Sequence, residues 1–398
     1  MLQSDMTNSI EKQDWALYFH IPFCEKRCGY CDFHTTTGYE NSFIERYMSF
    51  LIKEFEQFAA DYDHSRSALS SIYLGGGTPS YVPTESITAL ISKIRSEIDL
   101  PETVEITIEV NPHSALYDKL HACREAGINR VSIGIQSLIH KELQALDRLH
   151  TADEAIDTVH SARRAGFENI SVDLIYGIPG QTTGSWLQSL ESVTDLRPEH
   201  ISAYSLMLEP ETPLAKAVGG GIYRMPPDDG ISEMYDAAVA HCNNTGYEHY
   251  EISNYASGNQ ISKHNTHYWR RKPYRGFGVS AHTYFEHTRS WNTTDFNTYF
   301  QNIQSGRQPL AGSEKLSPIQ RMNEMIMLGL RMNTGLNLYE FAAEFGPKHA
   351  KTLRKKLETI YSDRNAHSYF LRNDSTAILT SRGLFVSDEI VSYLMFEE

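Results

Sequence analysis

Residues 15–33 read WALYFHIPFCEKRCGYCDF: a β-prone apolar run that ends near Pro22 and passes directly into a loop bearing Cys24, Cys28 and Cys31. Similar runs recur at Ser71 to Leu74 (SIYL), Glu105 to Val110 (EITIEV), Arg130 to Ile135 (RVSIGI), Asn169 to Tyr176 (NISVDLIY) and His200 to Leu206 (HISAYSL). Between them apolar residues fall at helical spacing, as in Phe43, Tyr47, Phe50, Leu51, Phe55 and Phe58. Strand and helix alternate, which predicts six parallel strands with covering helices. Six units fall short of the eight that close a βα barrel, so the expected fold is α/β, an open partial (βα)6 barrel with its chemistry at the carboxyl ends of the strands. Cys24 follows the first strand and Gly75-Gly76-Gly77-Thr78 the second; Glu109 ends the third, Gln136 follows the fourth and Asp173 lies on the fifth.

The three cysteines form C-x3-C-x2-C, with Gly29 giving the backbone room to wrap around an object. Three thiolates on so short a loop can hold three corners of a 4Fe-4S cubane, leaving the fourth iron for an external ligand. A structural zinc site would want four protein ligands. The other cysteines, Cys123 and Cys242, lie far along the chain in helical segments, but His34 would complete a tetrahedron, and that alternative stays open here.

Bulk properties narrow the field. Lys plus Arg number 36 against 50 Asp plus Glu, a formal charge of −14, and no basic run stands out, which argues against a nucleic-acid partner. Five cysteines among 398 residues make no disulfide framework. Residues 1–13 lack the basic head and apolar stretch of a secretory signal, and no apolar run approaches the ~20 residues that span a bilayer, so a cytoplasmic protein is expected. We divide the chain into a tail (1–14), the partial barrel (15–225), an extension (226–312) and a smaller C-terminal α/β domain (313–398). The extension contains a helix around Ile231 to Cys242 and a turn-rich aromatic stretch; the last domain contains helices and a β-like pair at Tyr369 to Arg372 and Ala377 to Thr380.

With these residues in view, the chain resembles the radical-SAM superfamily, in which the open iron chelates S-adenosylmethionine. Tyr30 stands before the third cysteine as that superfamily prefers, and Gly75-Gly76-Gly77-Thr78-Pro79 resembles its glycine-rich strand end. Within it, HIPFCEKRCGYCDF, YLGGGTPS, TIEVNP, GIQS, SVDLIYGIPGQ and YEISNYA resemble the coproporphyrinogen dehydrogenase, or HemN-like, group from about Tyr18 to near the C-terminus. The resemblance implies S-adenosylmethionine contacts at Tyr18, Tyr30, Gly76, Gly77, Thr78, Glu109, Gln136, Arg148 and Asp173, and a HemN-like C-terminal domain. The chemistry suits: Glu109 and Asp173 can accept from ribose hydroxyls and Arg148 can clamp a carboxylate. The plainer reading of Glu109, Asp173 and Arg148 is an ion-pair network lining the barrel.

Two departures from the dehydrogenase stand out. Phe33 occupies the place of a further cysteine two residues after the third, and strand one starts only about fifteen residues into the sequence. What remains resembles the HemW branch, regarded as haem chaperones that pass haem to respiratory enzymes, with its H-N-x-x-Y-W motif at His264, Asn265, Thr266, His267, Tyr268 and Trp269. An imidazole can ligate haem iron, and Tyr268 and Trp269 offer flat faces to a porphyrin; read without the resemblance, both are core anchors. The implied cofactors are the cluster and S-adenosylmethionine, with haem as cargo. The implied partners are haem-acceptor proteins, with a membrane-peripheral location and a homodimer left open. The competing reading is an enzyme in which a 5′-deoxyadenosyl radical abstracts hydrogen from a propionate chain of coproporphyrinogen III, or from another substrate.

Overall fold

The apolar run at residues 15–20 becomes an interior strand of a large sheet, with partners on both sides. The structure, a computed structural model, describes residues 13–63, 67–362, 368–371, 373 and 375–397. Strands β1 (Gln13–Ile21), β2 (Ser67–Gly76), β3 (Glu105–Val110), β4 (Arg130–Gln136), β5 (Ile170–Tyr176) and β6 (His200–Ser205) pair in parallel, in chain order. Their connections carry α1 (Asn41–Ala59), α2 (Thr84–Glu97), α3 (Tyr117–Glu125), α4 (His140–Ala145), α5 (Ala152–Arg164) and α6 (Thr183–Asp195). This is the expected (βα)6 arrangement, and it stays open. Apolar stripes on the helices seal it: Ile44, Tyr47, Met48, Leu51 and Phe55 of α1 are buried, as are Ile87, Leu90, Ile91 and Ile94 of α2.

After α7 (Pro213–Gly219) and α8 (Asp228–Asn244), strands β7 (Glu248–Glu251) and β8 (Asn254–Ala256) add antiparallel to the β6 edge. Helix α9 (Lys263–Trp269) then leads back to the opposite edge. There β9 (Tyr274–Phe277) pairs in parallel with β1, and β10 (His282–Phe285), β11 (Thr288–Asn292) and, beyond α10 (Phe296–Gln304), β12 (Leu310–Lys315) continue antiparallel. The expectation of a turn-rich aromatic stretch is thus corrected to strands. Each is only three to six residues long, too short for alternation to register, and the joins to the barrel come from distant chain: Ala16–Phe19 lie opposite Tyr274–Phe277 and His200–Ser202 opposite Asn254–Ala256. Phe19 and Phe277 stack at 4.7 Å across that join.

The large sheet runs on to Lys315. The smaller unit has α11 (Pro318–Arg331), β13 (Leu336–Asn337), α12 (Leu338–Tyr361), β14 (Phe370–Leu371), β15 (Thr376–Leu379), α13 (Ser381–Phe385) and α14 (Ser387–Leu394). Gly346, at φ +83°, breaks α12 ahead of Pro347. Most of the expected tail and Arg372 of the expected β pair lie outside the described residues. Among those described, no helix is long and apolar enough to cross a membrane.

One buried carboxylate braces the extension onto the barrel. Glu54 of α1, 2% exposed, accepts from Gly278 N–H (2.7 Å), Tyr299 Oη (2.8 Å), Asn292 Nδ2 (3.0 Å) and Arg275 Nη2 (3.3 Å). Removing it strands a buried guanidinium. Glu54→Ala should therefore destabilise the protein by about 3–5 kcal/mol, read by urea denaturation; a loss below about 1 kcal/mol would show that the network carries no such load.

Candidate functional site

The loop after β1 is held by its main chain. Cys24 N–H donates to Thr36 O at 2.9 Å and Thr36 N–H to Pro22 O at 2.7 Å, so the loop leaves and re-enters at the end of β1. Its far side is tied down by Gly29 N–H to Leu146 O (3.3 Å), Leu214 N–H to Gly29 O (2.8 Å), and a Lys26–Asp147 ion pair (2.5 Å). Cys24, Cys28 and Cys31 line one cavity of about 530 Å³. Thr78 Oγ1 donates to Cys24 Sγ at 3.4 Å and Arg148 Nη1 to Cys28 Sγ at 3.3 Å. Burial pushes the Cys24 thiol up to about 11 and raises that of Cys31. Thiols in this setting ionise when a metal takes the proton's place. Cys123 and Cys242 are buried in α3 and α8, and His34 lines a neighbouring cavity rather than this one.

Eight of the nine residues carried over for S-adenosylmethionine line the same cavity; Tyr18 is the exception and faces the neighbouring one. They converge because the carboxyl ends of parallel strands converge. Gly76 (φ +110°) ends β2 and Gly77 follows it beneath the cysteine loop, where a Cβ on Gly77 would lie 2.6 Å from the Pro22 carbonyl carbon. A side chain there would therefore collide with the protein's own loop before meeting any ligand. Gln136, a non-glycine residue at φ +68°, sits on the cavity wall where β4 slips register against β5.

Charge is concentrated here. Glu109 accepts from Tyr73 Oη (2.7 Å) and Gly76 N–H (3.1 Å), and burial pushes its carboxyl up to about 7. Burial likewise raises the Asp173 carboxyl, though it accepts from Ser132 Oγ at 3.1 Å. Arg148 donates through Nη2 to Gly134 O (2.6 Å) and Asn111 Oδ1 (3.2 Å), while its buried Nε has no partner among the described residues. Sequence reasoning missed Tyr73 and Arg130. Arg130 is 2% exposed on the same cavity wall with its Nε unpartnered, and the one available signal was a basic residue opening an apolar strand.

The neighbouring cavity, of about 610 Å³, shares Asp32, Phe33, Gly76 and Glu109 with the first. Tyr268, Trp269, Tyr274 and Tyr284 form aromatic walls, and His20, His34 and His282 also line it. Tyr268 and Trp269 of the motif thus line this cavity. His264 does not. It is 1% exposed, with Nδ1 2.9 Å from Ser71 Oγ and Nε2 2.8 Å from Tyr268 Oη, and it lines neither cavity. Both ring nitrogens are spent pinning α9 to β2 and to Tyr268, so the expectation that His264 presents an imidazole to haem iron is corrected: it is a satisfied core histidine.

Comparison with known proteins places this geometry. The Radical SAM superfamily model matches residues 18–193 and the HemN C-terminal domain model residues 316–363. "Heme chaperone HemW" of Mycobacterium tuberculosis is 32% identical, covering 96% of this chain and 95% of that one. The protein of the same name from Bacillus subtilis is 31% identical over 96% and 99%. A mitochondrial radical S-adenosyl methionine domain-containing protein 1 of Danio rerio is 32% identical over 94% and 84%. Among solved structures, coproporphyrinogen III oxidase (HemN) from Escherichia coli superposes with a TM-score of 0.82 over 96% of this chain and 90% of its own, at 21% identity, a likeness of fold. The superfamily implies a 4Fe-4S cluster and S-adenosylmethionine as cofactors. By its match to relatives along nearly its whole length, the chain belongs to the HemW family of radical-SAM proteins.

Proposed function

We propose that the protein is a haem chaperone, binding haem next to a radical-SAM cofactor site and handing it to haem-dependent respiratory proteins. The observation that carries this reading is the second cavity: apolar ring faces and imidazoles around a space of about 610 Å³, within the ~300–1,000 Å³ of small-molecule sites, abutting the cysteine cavity. The relatives named as haem chaperones support it. Phe33, 73% exposed on the rim common to both cavities, supplies no sulfur where the dehydrogenase pattern has one.

In the first cavity, Cys24, Cys28 and Cys31 would hold three irons of the cluster, with Thr78 and Arg148 stabilising thiolate charge. When bound, the cluster supplies an open iron and an electron. Glu109 and Asp173 accept from ribose hydroxyls, and Arg148, whose Nε lacks a partner, takes the methionine carboxylate. Tyr30, Gly76, Gly77, Thr78 and Gln136 shape the walls, while Tyr18, hydrogen-bonded to His20 Nδ1 at 3.0 Å, serves the haem side.

Cys24→Ala, Cys28→Ala and Cys31→Ala should each abolish the cluster, and Cys123→Ala and Cys242→Ala leave it intact, read by iron and sulfide analysis with EPR. A full cluster in any of the first three would sink the ligand assignment.

Glu109→Ala should weaken S-adenosylmethionine by about ten- to a hundredfold, the worth of a hydrogen bond to a charged group (about 1.5–3 kcal/mol). Ribose hydroxyls favour the ionised carboxylate, so binding lowers the raised pKa and releases a proton. Affinity should then strengthen as pH rises through about 7, and Glu109→Gln should remove Glu109's share of that rise. Calorimetry on reconstituted protein decides it; equal pH slopes would show that Glu109 does not meet the ligand.

Anaerobically reconstituted protein should bind haem yet fail to convert coproporphyrinogen III. Repeated turnover to protoporphyrinogen, measured on the same sample by product analysis, would overturn the chaperone reading in favour of an enzyme.

A further inference from the structure

The histidines in and around the second cavity differ in what their rings already hold. His20 spends Nδ1 on Tyr18 Oη and Nε2 on His34 O (2.9 Å). His264 is engaged at both nitrogens, and so is His267, with Ser70 Oγ at 3.3 Å and Pro273 O at 2.6 Å. Among the described residues, the rings of His34 and His282 make no hydrogen bond, and both line the cavity. These two imidazoles alone keep a nitrogen free there.

They are mounted differently. His34 lies three residues beyond Cys31 in the cysteine loop, with the Arg27 guanidinium near it. His282 opens β10, a strand paired with β9 and β11. It stands opposite Trp291 and its ring stacks on that indole at 6.1 Å. Its carbonyl packs so closely against Gly276 that a Cβ there would collide with it. A ligand on a paired strand with its ring held against an aromatic face is better preorganised than one on a loop. Burial and the nearby Arg289 hold the His282 imidazole below its usual pKa, which favours the neutral, metal-binding form near neutral pH.

We propose that His282 is the axial ligand of haem iron in the second cavity, an inference that rests on the haem-chaperone reading. The porphyrin then lies among Tyr268, Trp269, Tyr274 and Tyr284, and a neutral ring nitrogen gives its lone pair to iron with no proton or electron transferred. The motif helix supplies wall rather than ligand.

The test titrates the full chain with haemin and follows the Soret band and ferric EPR. His282→Ala should weaken haem binding at least tenfold and shift the spectrum, and imidazole added to the buffer should restore the wild-type band, a rescue that a merely structural role would not show. His282→Met, which keeps a ligand of different softness, should bind haem with an altered spectrum, and it decides the matter if His282→Ala loses its fold by circular dichroism. Wild-type affinity and spectrum in the decisive variant overturn the assignment while leaving the chaperone reading in place, as does a spectral change in His34→Ala instead. A wild-type protein that takes up no haem overturns both.

Discussion

β1 pairs in parallel with β2 on one side and with β9 on the other, and both cavities depend on that double pairing. Parallel neighbours put carboxyl ends together, so the loop leaving β1 carries its cysteines over the glycine end of β2. Pairing with β9 brings a segment some 250 residues away in sequence to the same edge and closes the second cavity with Tyr274, His282 and Tyr284. Phe19 on Phe277 and Glu54 among its four donors hold this seam. The arrangement ties distant chain together, so loop-closure entropy opposes it and burial of the β1 face must offset that cost.

Inside the barrel, two carboxylates and two guanidiniums share a space largely removed from water. Charges so placed are costly unless matched, and here the matching is incomplete: among the described residues the Nε atoms of Arg130 and Arg148 lack partners, while burial pushes the Glu109 carboxyl up to about 7. A site with unspent donors and a poised acceptor is arranged for a polar ligand. The neighbouring cavity is more aromatic, lined by Tyr268, Trp269, Tyr274 and Tyr284, and its charged lining residues Arg289 and Glu324 pair with each other. Gly76, Glu109, Asp32 and Phe33 belong to both, so occupancy of one bears on the wall of the other.

The motif around α9 shows how a recognised pattern and its physical role diverge. His264, Tyr268 and Trp269 recur at helical spacing, and the sequence invites the reading of a ligand with two flat walls. In the fold, His264 faces inward, where Ser71 and Tyr268 take both nitrogens, while Trp269 lies under Arg331 at 4.2 Å. His264 and Tyr268 lie one turn apart on the same face and bond each other, so helical spacing alone does not bring a ring nitrogen to the cavity. His282, inconspicuous within GVSAHTYF, lines the cavity with a ring that makes no hydrogen bond among the described residues.

By itself the sequence determined what is local or periodic. The six βα units follow from alternating patterns, with strand limits within a few residues of those found; the three thiols are gathered by spacing within eight residues; the pattern puts Glu109 and Gln136 at strand ends and Asp173 on the fifth strand, while their cofactor roles are what the family resemblance implies. Tertiary structure decided what depends on distant chain. Among the short strands of the extension, β9 takes its place from pairing with β1 and β8 from pairing with β6, Arg130 and Tyr73 become cavity residues only when the barrel forms, and the partners of His264 are set by β2 and Tyr268. The reason is physical: a periodic pattern specifies which face of an element is apolar, but the partner of a polar group at a given position is set by whichever other segment packs against it.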